Sequence, residues 1–269
     1  MAALIDSNAL NTAAPAGPAG PAGAASAALS HVSMSYDGKL EVLHDIDFKL
    51  NEGEFLSIVG PSGCGKSTIL RLISGLAQPS KGIVEVASHA GKPSHVGFMF
   101  QRDALLPWAD VNANIAVGLE CAGVPKERHA ARIKELLDLL GLAEFGHYYP
   151  RALSGGMRQR VALGRLLAYD SDIMLMDEPF GALDAQTKMM MGYELLRIWT
   201  ENRKSVVFVT HDIEEAIGLS DRILVMSARP GRIKSEYRVE LPRPRDLRGV
   251  RKLPAFHELS EKIWRDIVA

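Results

Sequence analysis

The sequence predicts an α/β domain with a mostly parallel sheet core, an antiparallel β part and an inserted helical subdomain. Three observations carry that prediction. Short apolar strands alternate with helical stretches, the pattern of parallel strands joined by crossovers. Two early alternating segments flank Asp37-Gly38, a turn signature that adds antiparallel strands. A helical block over about 102–165 interrupts the alternation and reads as an insertion.

Residues 1–28 stand apart. They hold twelve Ala, three Pro and three Gly, with Pro-Ala-Gly repeated three times over 15–23 and Asp6 as the only charge. Such a segment buries too little apolar surface to order itself, so a disordered tail is expected. The folded domain is expected over 29–240. Residues 29–36 and 42–50 are the hairpin strands, and 54–59 are a short apolar strand running into a glycine-rich loop. A helix over 67–75 follows, then strands over 82–86 and 95–100. Residues 110–141 read helical with a break at Gly123-Val124-Pro125. The second half places Ile133, Leu136, Leu137 and Leu140 on one face, and Gly141 ends it.

Residues 157–169 and 185–202 are helices, and 173–177, 205–210 and 222–227 are strands. A Gly in a helix interior costs ~1 kcal/mol, so Gly164 predicts a slightly loosened helix. Residues 229–252 carry nine Lys/Arg against three Asp/Glu. This basic stretch reads either as a contact for an anionic surface or a partner or, more plainly, as solvated chain; 241–269 is expected to be a C-terminal extension, with a short amphipathic helix over 255–268.

The chain has 269 residues, 47% hydrophobic and 23% charged, enough for a sizeable core. Lys plus Arg is 31 and Asp plus Glu is 32, a formal net charge of -1. That balance argues against nucleic acid as a partner, because phosphate binding usually leaves a basic excess. Two cysteines, Cys64 and Cys121, build no disulfide framework and point to a reducing compartment. No apolar run is long enough to span a bilayer, and the start has no basic and apolar regions of a secretory signal.

The chemistry begins at Gly60-Pro61-Ser62-Gly63-Cys64-Gly65-Lys66-Ser67, which fits G-x-x-x-x-G-K-[ST] between a predicted strand and a predicted helix. The glycines let backbone N–H groups turn inward toward phosphate oxygens, and the helix N-terminus adds positive potential. Lys66 reaches the β- and γ-phosphates, the Ser67 hydroxyl ligates Mg²⁺, and Thr68 belongs to the same phosphate-facing set. Cys64 has two readings here: a thiol activated by the helix N-terminus, or a side chain turned away from the ligand. Ile173-Met174-Leu175-Met176-Asp177-Glu178 is an apolar strand ending in two acids. Such a strand delivers Asp177 to hold Mg²⁺ and Glu178 to orient or deprotonate an attacking water.

A second small-residue loop, Leu153-Ser154-Gly155-Gly156-Met157-Arg158-Gln159-Arg160, opens another predicted helix about twenty residues before Asp177. With the phosphate loop and the acid pair, this resembles the ATP-binding subunits of ABC transporters, whose hallmark is such a signature loop. The resemblance spans about 29–245 and implies a P-loop NTPase of ABC ATPase type. It implies that Tyr36 stacks on adenine. It also implies that Gln101 is the Q-loop glutamine, sensing γ-phosphate, metal and water. Gly181-Ala182-Leu183-Asp184 matches the D-loop, and His211 the switch histidine.

The resemblance further implies that two copies pack head to tail around two ATP molecules, with Ser154, Gly155 and Gly156 acting on the partner's ATP. ATP and Mg²⁺ are the implied cofactors. An integral-membrane permease at the cytoplasmic face of the membrane is the implied direct partner, and a solute-binding protein an indirect one. Within the family, Gln101 to Trp108, Met157, Ser227 to Arg232 and Leu241 to Asp246 look like the nitrate/sulfonate/taurine importer branch. Importers of aromatic and pyrimidine-like precursors share that pattern. In the family the Leu105 to Trp108 region receives a permease coupling helix; the plainer reading is that Trp108 plugs the helical subdomain. A soluble, non-transport ABC ATPase is the competing class. The stretch from Ser67 to Ser154 is too short for the coiled-coil arms of DNA-repair types, and ribosome-acting types carry two such domains.

Overall fold

The computed structural model of the protein describes residues 24–89 and 92–268. Its centre is a six-stranded sheet. The strands are β3 (Phe55–Val59), β7 (Val96–Met99), β8 (Ile173–Asp177), β9 (Ser205–Val209), β10 (Arg222–Met226) and β11 (Ile233–Arg238). Their order is β11-β10-β3-β9-β8-β7, parallel throughout except for the antiparallel β10–β11 pair. A second, antiparallel sheet has the order β2-β1-β4, from β1 (Ala25–Tyr36), β2 (Leu40–Asn51) and β4 (Lys81–Val86). The short strands β5 (Ser88–His89) and β6 (Lys92–Pro93) form a small ladder.

The helices are α1 (Lys66–Ile73), α2 (Val111–Cys121), α3 (Lys126–Leu139), α4 (Gly155–Tyr169), α5 (Ala185–Asn202), α6 (Ile213–Leu219) and α7 (Pro254–Val268). The central strands are buried on both faces, and their alternate residues feed opposite layers. In β9, Val206 and Phe208 join α2 to α5, while Val207 and Val209 join α1 and the antiparallel sheet. Each such fully buried apolar side chain contributes ~1.5–3 kcal/mol. Leu136, Leu137 and Leu140 are buried as their spacing implies, and Ile133 packs at the margin.

Three expectations change. The first strand begins at Ala25, not Leu29: Ala27 and Ala28 are buried, and Ser26 Oγ lies 2.7 Å from Ser205 Oγ. The remainder of the expected tail, 1–23, lies outside the described residues. Gly164 is not a point of looseness. A Cβ there would stand 2.7 Å from Leu140 Cδ1 and 3.3 Å from Ile115 Cδ1, so glycine is what lets α4 approach its neighbours.

The C-terminal stretch is not a free extension. Val239, Leu241, Val250, Phe256 and Ile263 form a core with α6 and β10. Its basic residues are anchors. Arg243 donates to Asp221 Oδ1 at 2.7 Å and to Leu219 O at 2.9 Å. Buried Arg245 donates to the carbonyls of Ile217, Gly218, Ser220 and Val239, capping the negative end of α6. Burial pushes its guanidinium down to about 9, which leaves it charged at neutral pH. The guanidinium groups of Arg203 and Arg243 lie 4.6 Å and 4.3 Å from the ring centroid of buried Trp199. Helix α6 and strand β11 escape a sequence reading because one is seven residues long and the other is a polar edge strand.

Candidate active site

Parallel strands deliver their carboxyl ends to one edge of the sheet, where open α/β folds bind ligands. Here that edge carries Gly60 after β3, Gln101 after β7, Asp177 and Glu178 at the end of β8, and His211 after β9. Asp177 pairs with Val209 across β8 and β9, which places the acid pair beside the segment that holds His211. A cleft of ≈ 410 Å³ opens at this edge. Tyr36, Ser62, Gly63, Gly65, Lys66, Ser67, Thr68, Gln101 and Glu178 line it, with Leu40, Val42, Arg71 and Arg229.

The phosphate loop is held from beneath. Gly65 has φ +104, and a Cβ there would stand 2.5 Å from Leu43 Cδ2, so no side chain fits. Cys64 is 1% exposed and packs into the core under the loop, which rules out the reading of an accessible, activated thiol. Lys66 Nζ donates to Gly60 O at 2.8 Å and Pro61 O at 2.9 Å, so the ammonium sits within the loop's curl. Asp177 is buried, and burial pushes its carboxyl above the usual range; the Ser67 hydroxyl bond and nearby Lys66 oppose that shift, and Glu178 adds to it. The Ser67–Asp177 contact joins the phosphate loop to the acid strand.

Glu178 adopts φ 49, a left-handed conformation that costs a non-glycine residue about 1–3 kcal/mol. Its N–H donates to Val209 O at 2.9 Å and its carbonyl accepts from Gly181 N at 3.1 Å, so neighbours on both sides fix the turn. Its carboxylate Oε2 accepts from Gln101 Nε2 at 3.2 Å and lies 3.4 Å from His211 Nδ1. Gln101, Glu178 and His211, three residues far apart in sequence, therefore converge on one oxygen. Thr210 Oγ1 donates to Glu215 Oε2 at 2.7 Å, and the Asp212 side chain caps α6, so the segment holding His211 is fixed from its far side.

The second loop lies elsewhere. Ser154 caps α4 by accepting from Met157 N at 3.2 Å. Ser154, Gly155 and Gly156 do not line this chain's own cleft. Asp184 is also outside it. Its carboxylate caps α5, accepting from Gln186 N, Thr187 N and Thr187 Oγ1, and these bonds hold it below the usual carboxylate range. Trp108 is 73% exposed, so it does not plug the helical subdomain. Two site residues escape a sequence reading. Arg229 lines the cleft and donates through Nη2 to Gly63 O at 3.0 Å; its only signal is the Ser227 to Arg232 stretch. Gln159 is buried beside the Glu178 turn, and only its place after the paired glycines hinted at a role.

Comparison with known proteins agrees with this geometry. A family profile described as ABC transporter matches residues 43–181. An uncharacterized ABC transporter ATP-binding protein of Methanocaldococcus jannaschii is 46% identical, over 84% of this chain and 84% of that protein. The taurine import ATP-binding protein of Jannaschia is 41% identical over 87% of this chain and 91% of its own length. That of Rhizobium johnstonii is 44% identical over 85% and 89%. A dimeric bacterial ABC transporter cassette superposes with a TM-score of 0.71 at 32% identity, covering 80% of this chain and all of that one. A post-hydrolysis state of such a cassette, bound to ADP and Pi, scores 0.71 at 31% identity.

The chain belongs to the ABC transporter family. Within it, the chain is an ATP-hydrolysing, ATP-binding subunit grouped with the branch that holds the taurine import proteins.

Proposed function

We propose that this ATPase energises a membrane permease that imports taurine or a related small sulfonate. The 39–44% identity to taurine import ATP-binding proteins over most of their length supports the cargo class. The convergence of Gln101, Glu178 and His211 at the mouth of the phosphate cleft supports the chemistry. No helix among the described residues is long and apolar enough to cross a membrane. In this reading the permease is a separate chain and the ATPase docks on its cytoplasmic face. Exposed Trp108, on the loop after Gln101, is the contact we assign to that permease.

In this reading Tyr36 packs on adenine, and the N–H groups of 60–68 with Lys66 hold the phosphates. Ser67, Asp177 and Gln101 supply hard oxygen ligands at the phosphate end, a donor set that fits Mg²⁺. An ion held there keeps waters and phosphate oxygens in the rest of its shell. The ion, when bound, neutralises phosphate charge. Glu178 accepts the proton of the attacking water, and His211 and Gln101 orient the γ-phosphate and that water. Ser154, Gly155 and Gly156 of a second copy close the site from the opposite side, and Asp184 lies at that junction.

The test is uptake of labelled taurine by cells carrying either the natural chain or Glu178→Gln as their sole copy. Loss of uptake with the variant, alongside co-purification of a multi-helix permease, supports the reading. Unchanged taurine uptake overturns the cargo, and capture of soluble partners alone overturns the transport role.

A further inference from the structure

We propose that Gln159 is a positioning residue that ties the signature loop to the catalytic carboxylate of its own chain. Through it, ATP bound at one site of the dimer sets the geometry of the other. The proposal rests on the head-to-tail reading above and deepens it.

Gln159 lies in the second turn of α4, buried, and bonds in two directions. Its Oε1 accepts from Ala182 N at 2.9 Å. Its Nε2 donates to Glu178 O at 3.5 Å. The same Glu178 carbonyl accepts from Gly181 N at 3.1 Å. One side chain thus grips both ends of the turn that carries the catalytic acid in its left-handed conformation. Glutamine suits the position because it offers a donor and an acceptor at the end of one stem. Glutamate keeps the acceptor and loses the donor. Leucine keeps the volume and loses both.

An independent contact points the same way. The start of α4 rests directly on the turn after Glu178. A Cβ on Gly156 would stand 3.2 Å from Ala182 O and 3.1 Å from Leu183 Cδ2. One on Gly155 would stand 3.7 Å from Ala182 Cβ. The loop that faces the partner's ATP is therefore stacked on Ala182 and Leu183, and Gln159 links the stack to Glu178. A shift of α4 when the partner's γ-phosphate docks is passed to the carboxylate through a short, packed route rather than a long one.

The experiment uses the full chain. ATP turnover is followed against ATP concentration for the natural protein, Gln159→Leu and Gln159→Glu. Dimer formation is followed by light scattering with ATP and Mg²⁺ in the Glu178→Gln background, with and without Gln159→Leu. The natural chain is expected to show a Hill coefficient of about 2, and Gln159→Leu about 1, with kcat down about tenfold and KM within about twofold. Gln159→Glu should fall in the same direction, and it carries the test if the leucine variant does not fold. Dimerisation should survive in the Gln159→Leu, Glu178→Gln double variant.

A natural Hill coefficient of about 1, or one unchanged by both substitutions, overturns the coupling. A fall in kcat without a fall in cooperativity marks a structural role and overturns it too. Loss of the dimer in the double variant also overturns it, because the amide then serves assembly. A Glu178→Gln chain that stays monomeric at saturating ATP overturns the head-to-tail reading itself, and the coupling with it.

Discussion

Two glycine loops open helices in this protein, and they differ in what stands opposite them. The loop at 60–67 faces a cleft already furnished by its own chain: Lys66 within the curl, Asp177 on Ser67, and Glu178 with Gln101 and His211 across the mouth. The loop at 154–156 has the same ingredients locally, a capping serine and paired glycines. Yet it lies outside that cleft and rests on the turn after Glu178. In the function proposed above, the first binds ATP within its own chain and the second completes the site of a partner. Equal local chemistry does not make equal function; the surrounding topology decides which loop meets a ligand alone.

The largest effect that tests this contrast is on Glu178. Replacing it by Gln should lower hydrolysis by about 10²–10⁴-fold while ATP still binds and a dimer persists, measured by phosphate release and light scattering. Next comes a mixing test. Lys66→Ala should abolish nucleotide binding by the single chain, and Gly156→Val should spare binding and abolish turnover. Equal mixing of the two inactive variants should restore measurable turnover, at most about a quarter of the natural rate, because half the dimers then hold one intact site assembled across two chains and the coupling between sites lowers what one site does alone. No recovery would mean that both loops serve one chain's ATP.

A smaller contrast concerns the thiol beneath the first loop. In the native protein a thiol reagent should modify exposed Cys121 quickly and Cys64 only after unfolding, as mass spectrometry of the two peptides would show. Rapid Cys64 labelling would mean that the phosphate loop is not seated on the core. The smallest effect belongs to Ser154→Ala, which removes a helix cap and should cost ~1 kcal/mol in denaturant melts while leaving single-chain nucleotide affinity unchanged.

The two loops were also unequally legible in the sequence. The phosphate loop and the acid strand are local patterns: spaced glycines before Lys66-Ser67, and an apolar run ending in Asp177-Glu178. The helices and central strands follow from hydrophobic period, because the sheet buries both faces. What escaped is set by partners distant in the chain. Arg229 reaches Gly63 across 166 residues, and Gln159 reaches Ala182 across 23. Neither has a spacing signature. Arg245 reads as surface charge until α6 is seen to end on it. The start of β1 was hidden because alanines that pack in a strand look like those of a tail.

The strand order has a consequence for how the chain comes into being. Strand β3, whose end carries the phosphate loop, is synthesised early, yet its two neighbours in the sheet are β9 and β10. Those begin at Ser205 and Arg222. A nascent chain must therefore hold an apolar strand without its sheet neighbours until Ser205 and Arg222 have been made, a period of exposure in which aggregation competes with folding. ATP capture by this fold thus waits on strands made long after the phosphate loop, and fragments that stop before Ser205 should bind none.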